Sequence, residues 1–243
     1  VTNPPYLARN KSQDKTLFDM FDQNDLFKIF ILQLINDPPN GGILIIPVNF
    51  WSSSRASDVS LRKTFLELFC IIRVNIFEEA VFEDGAVCAI EFVNAAPIVN
   101  IHFNFYPGGD ERVFVFDKST NYTIGWDIIS LSKQPSLFKT TRLLNGATPP
   151  NTYITLKTLD NISLYWSDKP YYGKNTSRTF ASLTIEPPID EARQRLLIEQ
   201  FNEFVSLNRA KYKGLWLSNY REGARKRMGF AMAYSIISHL LSN

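Results

Sequence analysis

The sequence predicts an α/β fold: a doubly wound, mostly parallel sheet with an antiparallel edge hairpin, followed by an α+β module that ends in two helices. Three observations carry that prediction. Apolar, strand-like runs alternate with amphipathic helical stretches up to about residue 95. Beyond that point, Thr-, Tyr- and Leu-rich runs cut by Pro and Gly read as short strands. The chain then closes with two stretches of helical apolar spacing.

The elements follow in order. Residues 7–22 read as a polar loop. Residues 23–37 read as an amphipathic helix with Leu26, Phe27, Phe30, Ile31, Leu34 and Ile35 on one stripe. Pro38-Pro39-Asn40-Gly41-Gly42 ends it, and Ile43 to Val48 reads as a buried strand. A second helix is predicted over 57–69, capped by Ser57. Strands near 71–77 and 86–93 are joined through Glu83-Asp84-Gly85, which predicts the hairpin. Pro97 to Tyr106 and Arg112 to Asp117 alternate, with a hairpin turn at Gly108-Gly109 between them. The closing helices are expected over 189–208, with Leu197, Phe201, Phe204 and Val205 on one face, and over 223–241, with Phe230, Tyr234, Ile237 and Leu241. A domain boundary is placed near 95–110, dividing the chain into 1–95 and 96–243.

Composition excludes several classes. The chain has 243 residues, 45% hydrophobic and 21% charged, as in an ordinary globular protein. A net charge of +2 rules out a global polycation. No run of 18 or more apolar residues marks a membrane span. Cys70 and Cys88 suggest a reduced compartment or simply buried thiols. Only His102 and His239 are present, and no Ser/His/Asp set emerges.

The most informative feature is Asn3-Pro4-Pro5-Tyr6. Two prolines fix φ, donate no N–H and push the preceding residues toward extended geometry. The segment therefore bares two acceptors, the Asn3 side-chain carbonyl and the Pro4 backbone carbonyl, beside the flat ring of Tyr6. That set suits an exocyclic NH₂ on a planar ring. Such an amine is a poor nucleophile because its lone pair is delocalised. Two acceptors aimed at its N–H bonds localise the lone pair and stabilise the positive charge that grows during attack. A simple turn is the competing reading of the same four residues.

Segment order sharpens this. Asn3-Pro4-Pro5-Tyr6 is followed by Asp25-Leu26-Phe27-Lys28-Ile29-Phe30, by Gly41-Gly42 opening Ile43-Leu44-Ile45-Ile46-Pro47, and by Glu79-Ala80-Val81-Phe82 before the apolar run Ala86 to Val93. The order resembles the S-adenosylmethionine-dependent amino-methyltransferases, closest to N6-adenine DNA methyltransferases whose catalytic motif precedes the target-recognition region. The resemblance covers about 1–95 well and 96–243 loosely. Some DNA methyltransferases of large DNA viruses look similar through to Arg225-Lys226-Arg227. The resemblance implies that 1–95 is the second half of a methyltransferase catalytic domain and 96–243 a recognition module. It implies that Asn3 and the Pro4 carbonyl bind the target amine, with Pro5 stiffening the turn. Tyr6 and Phe82 would stack on a base flipped out of the duplex. Phe30 would touch the adenine of the cofactor, S-adenosyl-L-methionine; a core position in the helix is its alternative.

The family binds that cofactor through a Gly-rich loop upstream of the motif. Gly41-Gly42 and Gly108-Gly109 do not supply one. The expectation is therefore the C-terminal part of a longer chain, or a partner chain that supplies the loop, acting inside a cell or in a virion. Double-stranded DNA is the implied partner. Arg9 and Lys11, in the loop after the motif, and Arg225, Lys226 and Arg227, in a basic stretch interleaved with Tyr212, Trp216 and Tyr220, are the candidate phosphate contacts; solvated charge is the other reading. The functional alternative is a methyltransferase scaffold reused as a non-catalytic binding or structural subunit.

Overall fold

The computed structural model describes residues 1–78, 86–144, 150–172, 178–221 and 225–243, with the side chains of 218–221 and 225 left aside. The strands are β1 (Gly41–Pro47), β2 (Cys70–Phe77), β3 (Val87–Val93), β4 (Asn100–Tyr106), β5 (Asp110–Val115), β6 (Lys139–Arg142), β7 (Ile154–Lys157), β8 (Ser163–Trp166), β9 (Phe180–Glu186), β10 (Ser218–Arg221) and β11 (Arg225–Arg227). The helices are α1 (Thr16–Met20), α2 (Leu26–Asn36), α3 (Ala56–Leu68), α4 (Trp126–Ile129), α5 (Glu191–Tyr212) and α6 (Phe230–Ser242). Two compact units emerge, Val1–Trp126 with Tyr220–Ala224, and Asp127–Asn219 with Arg225–Asn243. The expected boundary near 95–110 thus falls short. Strands β4 and β5 belong to the first sheet, because β4 pairs with β2 over Val74↔Phe103 to Phe77↔Tyr106.

The first unit is a mixed α/β structure built on a five-stranded sheet of order β1-β3-β2-β4-β5. A mostly parallel pairing is not what forms. Among these strands only β2 and β4 pair parallel, while β1·β3, β2·β3 and β4·β5 are antiparallel. The reason is insertion: β3 runs back between β1 and β2, so these two share a direction but are separated by a reversed neighbour. The expected β2–β3 hairpin is therefore interior, and the edge hairpin is β4–β5. Its turn is the anticipated one, with Gly109 at φ +72 and its N–H bonded to Phe105 O at 2.8 Å. The hairpin linker expected at Glu83-Asp84-Gly85 lies outside the described residues.

Sequence explains β1 locally. Leu44 and Ile46 alternate into the core, both fully buried. Gly41 opens the strand because a Cβ there would stand 2.8 Å from the backbone oxygen of Phe92 on β3. The core beneath is aromatic: Trp51, Phe65, Phe69 and Phe103 are fully buried, and Trp51 meets Phe103 edge-on at 5.1 Å.

Helix α2 departs from its expected stripe. Phe27 and Ile31 are buried, but so are Lys28 and Ile29, while Phe30 is 36% exposed. The inward face is rotated because Lys28 forms a buried ion pair with Asp58 of α3 and also donates to Asn24 at 2.8 Å. Helix α3 starts one residue early, with Arg55 as N-cap and no side-chain cap, so Ser57 lies inside the helix. Arg62, on the same helix, is wholly buried. Its guanidinium donates to the backbone oxygens of Phe50, Ser53 and Tyr122 and to Thr123 Oγ1.

The second unit carries an antiparallel sheet of order β6-β9-β7-β8. Helix α5 is capped by Asp190, whose carboxylate accepts from Arg193 N at 2.8 Å. It buries Leu197, Phe201 and Val205 as expected. Asn202 fastens it to β8, bonding both the N–H and the C=O of Leu164 at 2.9 Å. Helix α6 begins only at Phe230; the basic residues expected at its start form strand β11 instead. No helix among the described residues is long and apolar enough to cross a membrane.

Replacing Arg62 with Met should strand one buried and two part-buried carbonyls and a buried threonine hydroxyl. Because unsatisfied buried acceptors each carry a desolvation penalty, the expected loss is about 3 kcal/mol or more. Urea unfolding of the two proteins checks this.

Candidate functional site

The site is built from the first residues of the chain. Thr2 docks alongside β1 in parallel: its N–H donates to Ile43 O at 2.9 Å, and its own carbonyl accepts from Ile45 N at 2.9 Å. This places Asn3-Pro4-Pro5-Tyr6 where the chain leaves a parallel bridge to the middle of β1. Pro4 is buried, whereas Asn3 and Pro5 are exposed. Pro4 thus anchors the turn, and Asn3 stays exposed beside it.

Tyr6 folds back onto the sheet. Its hydroxyl lies 2.9 Å from Ile45 O and 2.5 Å from Asn3 Oδ1, and its ring meets Phe27 edge-on at 6.4 Å. One O–H proton therefore faces two acceptors. Burial pushes the phenol up to about 12, with Cys88 contributing less. The Cys88 thiol is itself pushed up to about 12 by burial. Both groups are neutral near pH 7. No described residue donates to the Pro4 carbonyl. Of the two predicted acceptors, Asn3 Oδ1 is touched by a neutral hydroxyl, and the Pro4 carbonyl belongs to a buried residue.

The other predicted residues distribute unevenly. Phe30 is on α2 and partly exposed. Phe82 lies outside the described residues, as does the side chain of Arg225. Arg9 is engaged by Asp19, at 2.7 Å through Nη2. Lys11 is exposed in a short 3-10 turn, Arg9–Lys11. In the second unit, Lys226 donates through Nζ to Lys213 O at 2.9 Å, and Arg227 bridges to Leu159. Sequence reading missed the buried Lys28–Asp58 pair and Arg62; a lysine inside an apolar helical run was the available signal. Among the described residues no group of His, Cys, Asp and Glu could hold a metal ion.

The described residues do not by themselves fit an adenosyl cofactor. Gly41 and Gly42 serve the β1–β3 pairing, where Gly41 sits against the Phe92 backbone. Gly109 makes the β4–β5 turn. Neither pair forms a strand-to-helix loop that could cradle a ribose or a charged tail.

No protein-family model matches this chain, and no curated protein sequence matches it. Three solved structures are similar to parts of it. One belongs to work on complex assembly and conformational transition of a type I R-M system, at 18% identity and TM-score 0.33, covering 44% of this chain and 23% of that one. A modification subunit attributed to a type I restriction enzyme from Vibrio vulnificus YJ016 shows 18% identity and TM-score 0.34, covering 55% and 31%. The type IIG restriction endonuclease BpuSI shows 11% identity and TM-score 0.37, covering 60% and 24%. The chain spans less than a third of the length of each.

A pH effect follows from Tyr6. Its folded pKa lies above its ordinary 10.0, so its contribution to stability is intact below pH 10 and is lost as pH climbs toward about 12. Tyr6→Phe should flatten that part of the alkaline decline. Urea midpoints of both proteins, taken at several pH values across this window, measure it.

Proposed function

We propose that this chain carries the amine-binding part of a DNA methyltransferase that modifies N6 of an adenine flipped out of the duplex. One observation carries the reading: the Asn3 amide is exposed on a proline-locked turn whose position is fixed by the Thr2 pairing to β1. The Asn3 and Pro4 carbonyls offer acceptors for two N–H bonds. As the amine nitrogen attacks, it gains positive charge, and two fixed dipoles aimed at it lower the barrier. The Tyr6 proton remains with Ile45 O when an incoming amine takes its place at Asn3 Oδ1, so the exchange leaves no acceptor unpaired. Tyr6 then offers its ring edge or face beside the base, with Phe82 as the proposed second wall. The implied methyl donor is S-adenosyl-L-methionine, and Phe30 is the residue proposed to touch it. The rest of its cradle must come from outside the described residues.

A second reading, a methyltransferase-like scaffold with a binding or structural role, is favoured by the cofactor misfit. Calorimetric titration of the longest natural protein with S-adenosyl-L-methionine separates the two: binding sustains the enzyme, and its absence leaves the scaffold.

In the protein that contains this chain, Asn3→Ala should lower methyl transfer to duplex DNA by at least about 100-fold, the scale seen when one transition-state hydrogen-bonding group is removed. Its melting temperature should not change, since Asn3 is exposed. A radiolabelled methyl-transfer assay with DNA, RNA and protein acceptors is the measurement; undiminished activity would end the catalytic reading.

A further inference from the structure

The second unit contains an arginine-lined cleft that the amine site does not use. It is a space of ≈ 540 Å³ lined by Thr141, Arg142, Arg178, Arg227, Phe230 and Tyr234, among others. The three arginines come from separate parts of the sequence: the end of β6, the segment before β9, and the end of β11. None of the described lining residues is acidic. The Arg142 guanidinium lies 5.1 Å from the centre of the Phe230 ring, and Phe230 stacks on Tyr234 one turn along α6, at 6.1 Å and 21°.

Two further features sit at the same place. Helix α6 begins here with Gly229 as N-cap, no side-chain cap and no acidic residue in its first turn. Its first N–H groups lack intrahelical partners and carry the positive end of the helix dipole. The Tyr234 hydroxyl is buried without a hydrogen-bond partner among the described residues. A buried hydroxyl left in that state is costly.

We infer that this cleft binds a backbone phosphate of duplex DNA, held by Arg142, Arg178 and Arg227 at the start of α6. Guanidinium forks match phosphate oxygens in pairs, which a point charge does not. The space is much larger than one phosphate group, and Arg178 and Thr141 on its rim are exposed. An open trough of this kind suits a strand passing through rather than an enclosed small anion. The stacked Phe230 and Tyr234 supply an apolar wall for the sugar. This deepens the DNA reading above but does not depend on methyl transfer.

The test uses the whole chain and a fluorescent DNA duplex, with anisotropy titrations over a salt series. Arg178→Ala, at an exposed position, should weaken binding about tenfold. It should also reduce the slope of log K against log[salt] by about 1, as expected for one lost phosphate contact. Arg178→Lys should restore the slope but only part of the affinity. Arg142→Ala should act in the same direction, with circular dichroism confirming that it folds. Unchanged affinity and slope in both alanine variants overturns the proposal. A parallel NMR titration with inorganic phosphate distinguishes the source. Shifts at the arginine side chains that duplex DNA neither causes nor competes away would mean a free-phosphate site and overturn the DNA assignment. The fall in salt slope on Arg178→Ala keeps the two hypotheses apart: it should appear to the same extent whether or not the protein transfers methyl groups.

Discussion

The pairing of Thr2 with β1 is the constraint from which the candidate site follows. Two backbone hydrogen bonds of 2.9 Å hold Thr2 in register with Leu44. Everything after it is determined by residues with little freedom of their own. Two prolines cannot rotate φ, Pro4 is sunk into the protein, and Tyr6 is tied to Ile45. Asn3 is therefore exposed without being mobile by default. Its neighbours on both sides are fastened to the same strand, so the amide is aimed by the sheet itself. A site built this way loses little conformational entropy when it receives a ligand.

Beneath that strand the fold depends on charges buried in the first unit. Lys28 and Asp58 join α2 to α3, Ser53 adds a hydrogen bond to Asp58, and Arg62 gathers four oxygens. Buried ion pairs contribute little net stability against apolar substitutes, because desolvation offsets attraction. What they do is make alternatives expensive. If α2 rotated about its axis, Lys28 would lose Asp58 and both charges would be left in an apolar setting. That directional demand explains why the helix presents Lys28 and Ile29 inward and turns Phe30 toward solvent. It also explains why Tyr6 finds the edge of Phe27 at a fixed place.

Much of this was legible in the sequence, and the limits have physical causes. The unbroken apolar run Ile43-Leu44-Ile45-Ile46 located β1, and the 3.6-residue spacing of Leu197, Phe201 and Val205 located α5, because burial on one face of a helix writes a period into the chain. Pro107-Gly108-Gly109 announced its turn, since only glycine takes φ +72 without strain. Strand order was not legible. Period-two patterns are the same for parallel and antiparallel neighbours, so nothing in Val87 to Val93 says that β3 inserts between β1 and β2. The extent of the first unit was misjudged for a related reason. Strands β4 and β5 alternate like the short strands beyond them, and only their pairing to β2 assigns them. At the site, the residue types of Asn3-Pro4-Pro5-Tyr6 were readable, but the Tyr6 contact to Ile45 was not. It joins positions 39 apart in sequence, and no local pattern encodes it.

The two proposed sites have opposite chemistry, and that opposition is itself an argument. The first offers neutral carbonyl acceptors and withholds charge: the adjoining phenol and thiol are both held neutral by burial. A carbonyl pair of that kind attracts N–H donors and gives no stabilisation to a phosphate. The arginine cleft offers donors and positive charge, and gives nothing to an amine. A peptide or small metabolite rarely demands both in one ligand. A nucleic acid does so, since adenine, cytosine and guanine carry exocyclic amines and the backbone carries phosphates. A base must leave its pair before two acceptors can take both amine hydrogens, one of which the partner base holds in the duplex. Extrusion costs unstacking energy, and phosphate contacts are a sequence-independent source of the binding energy that offsets it. A chain that extrudes a base therefore needs a phosphate grip whose strength does not depend on which base is taken. Three guanidinium forks at the start of a helix, in the role proposed for them, would meet that need without reading any sequence.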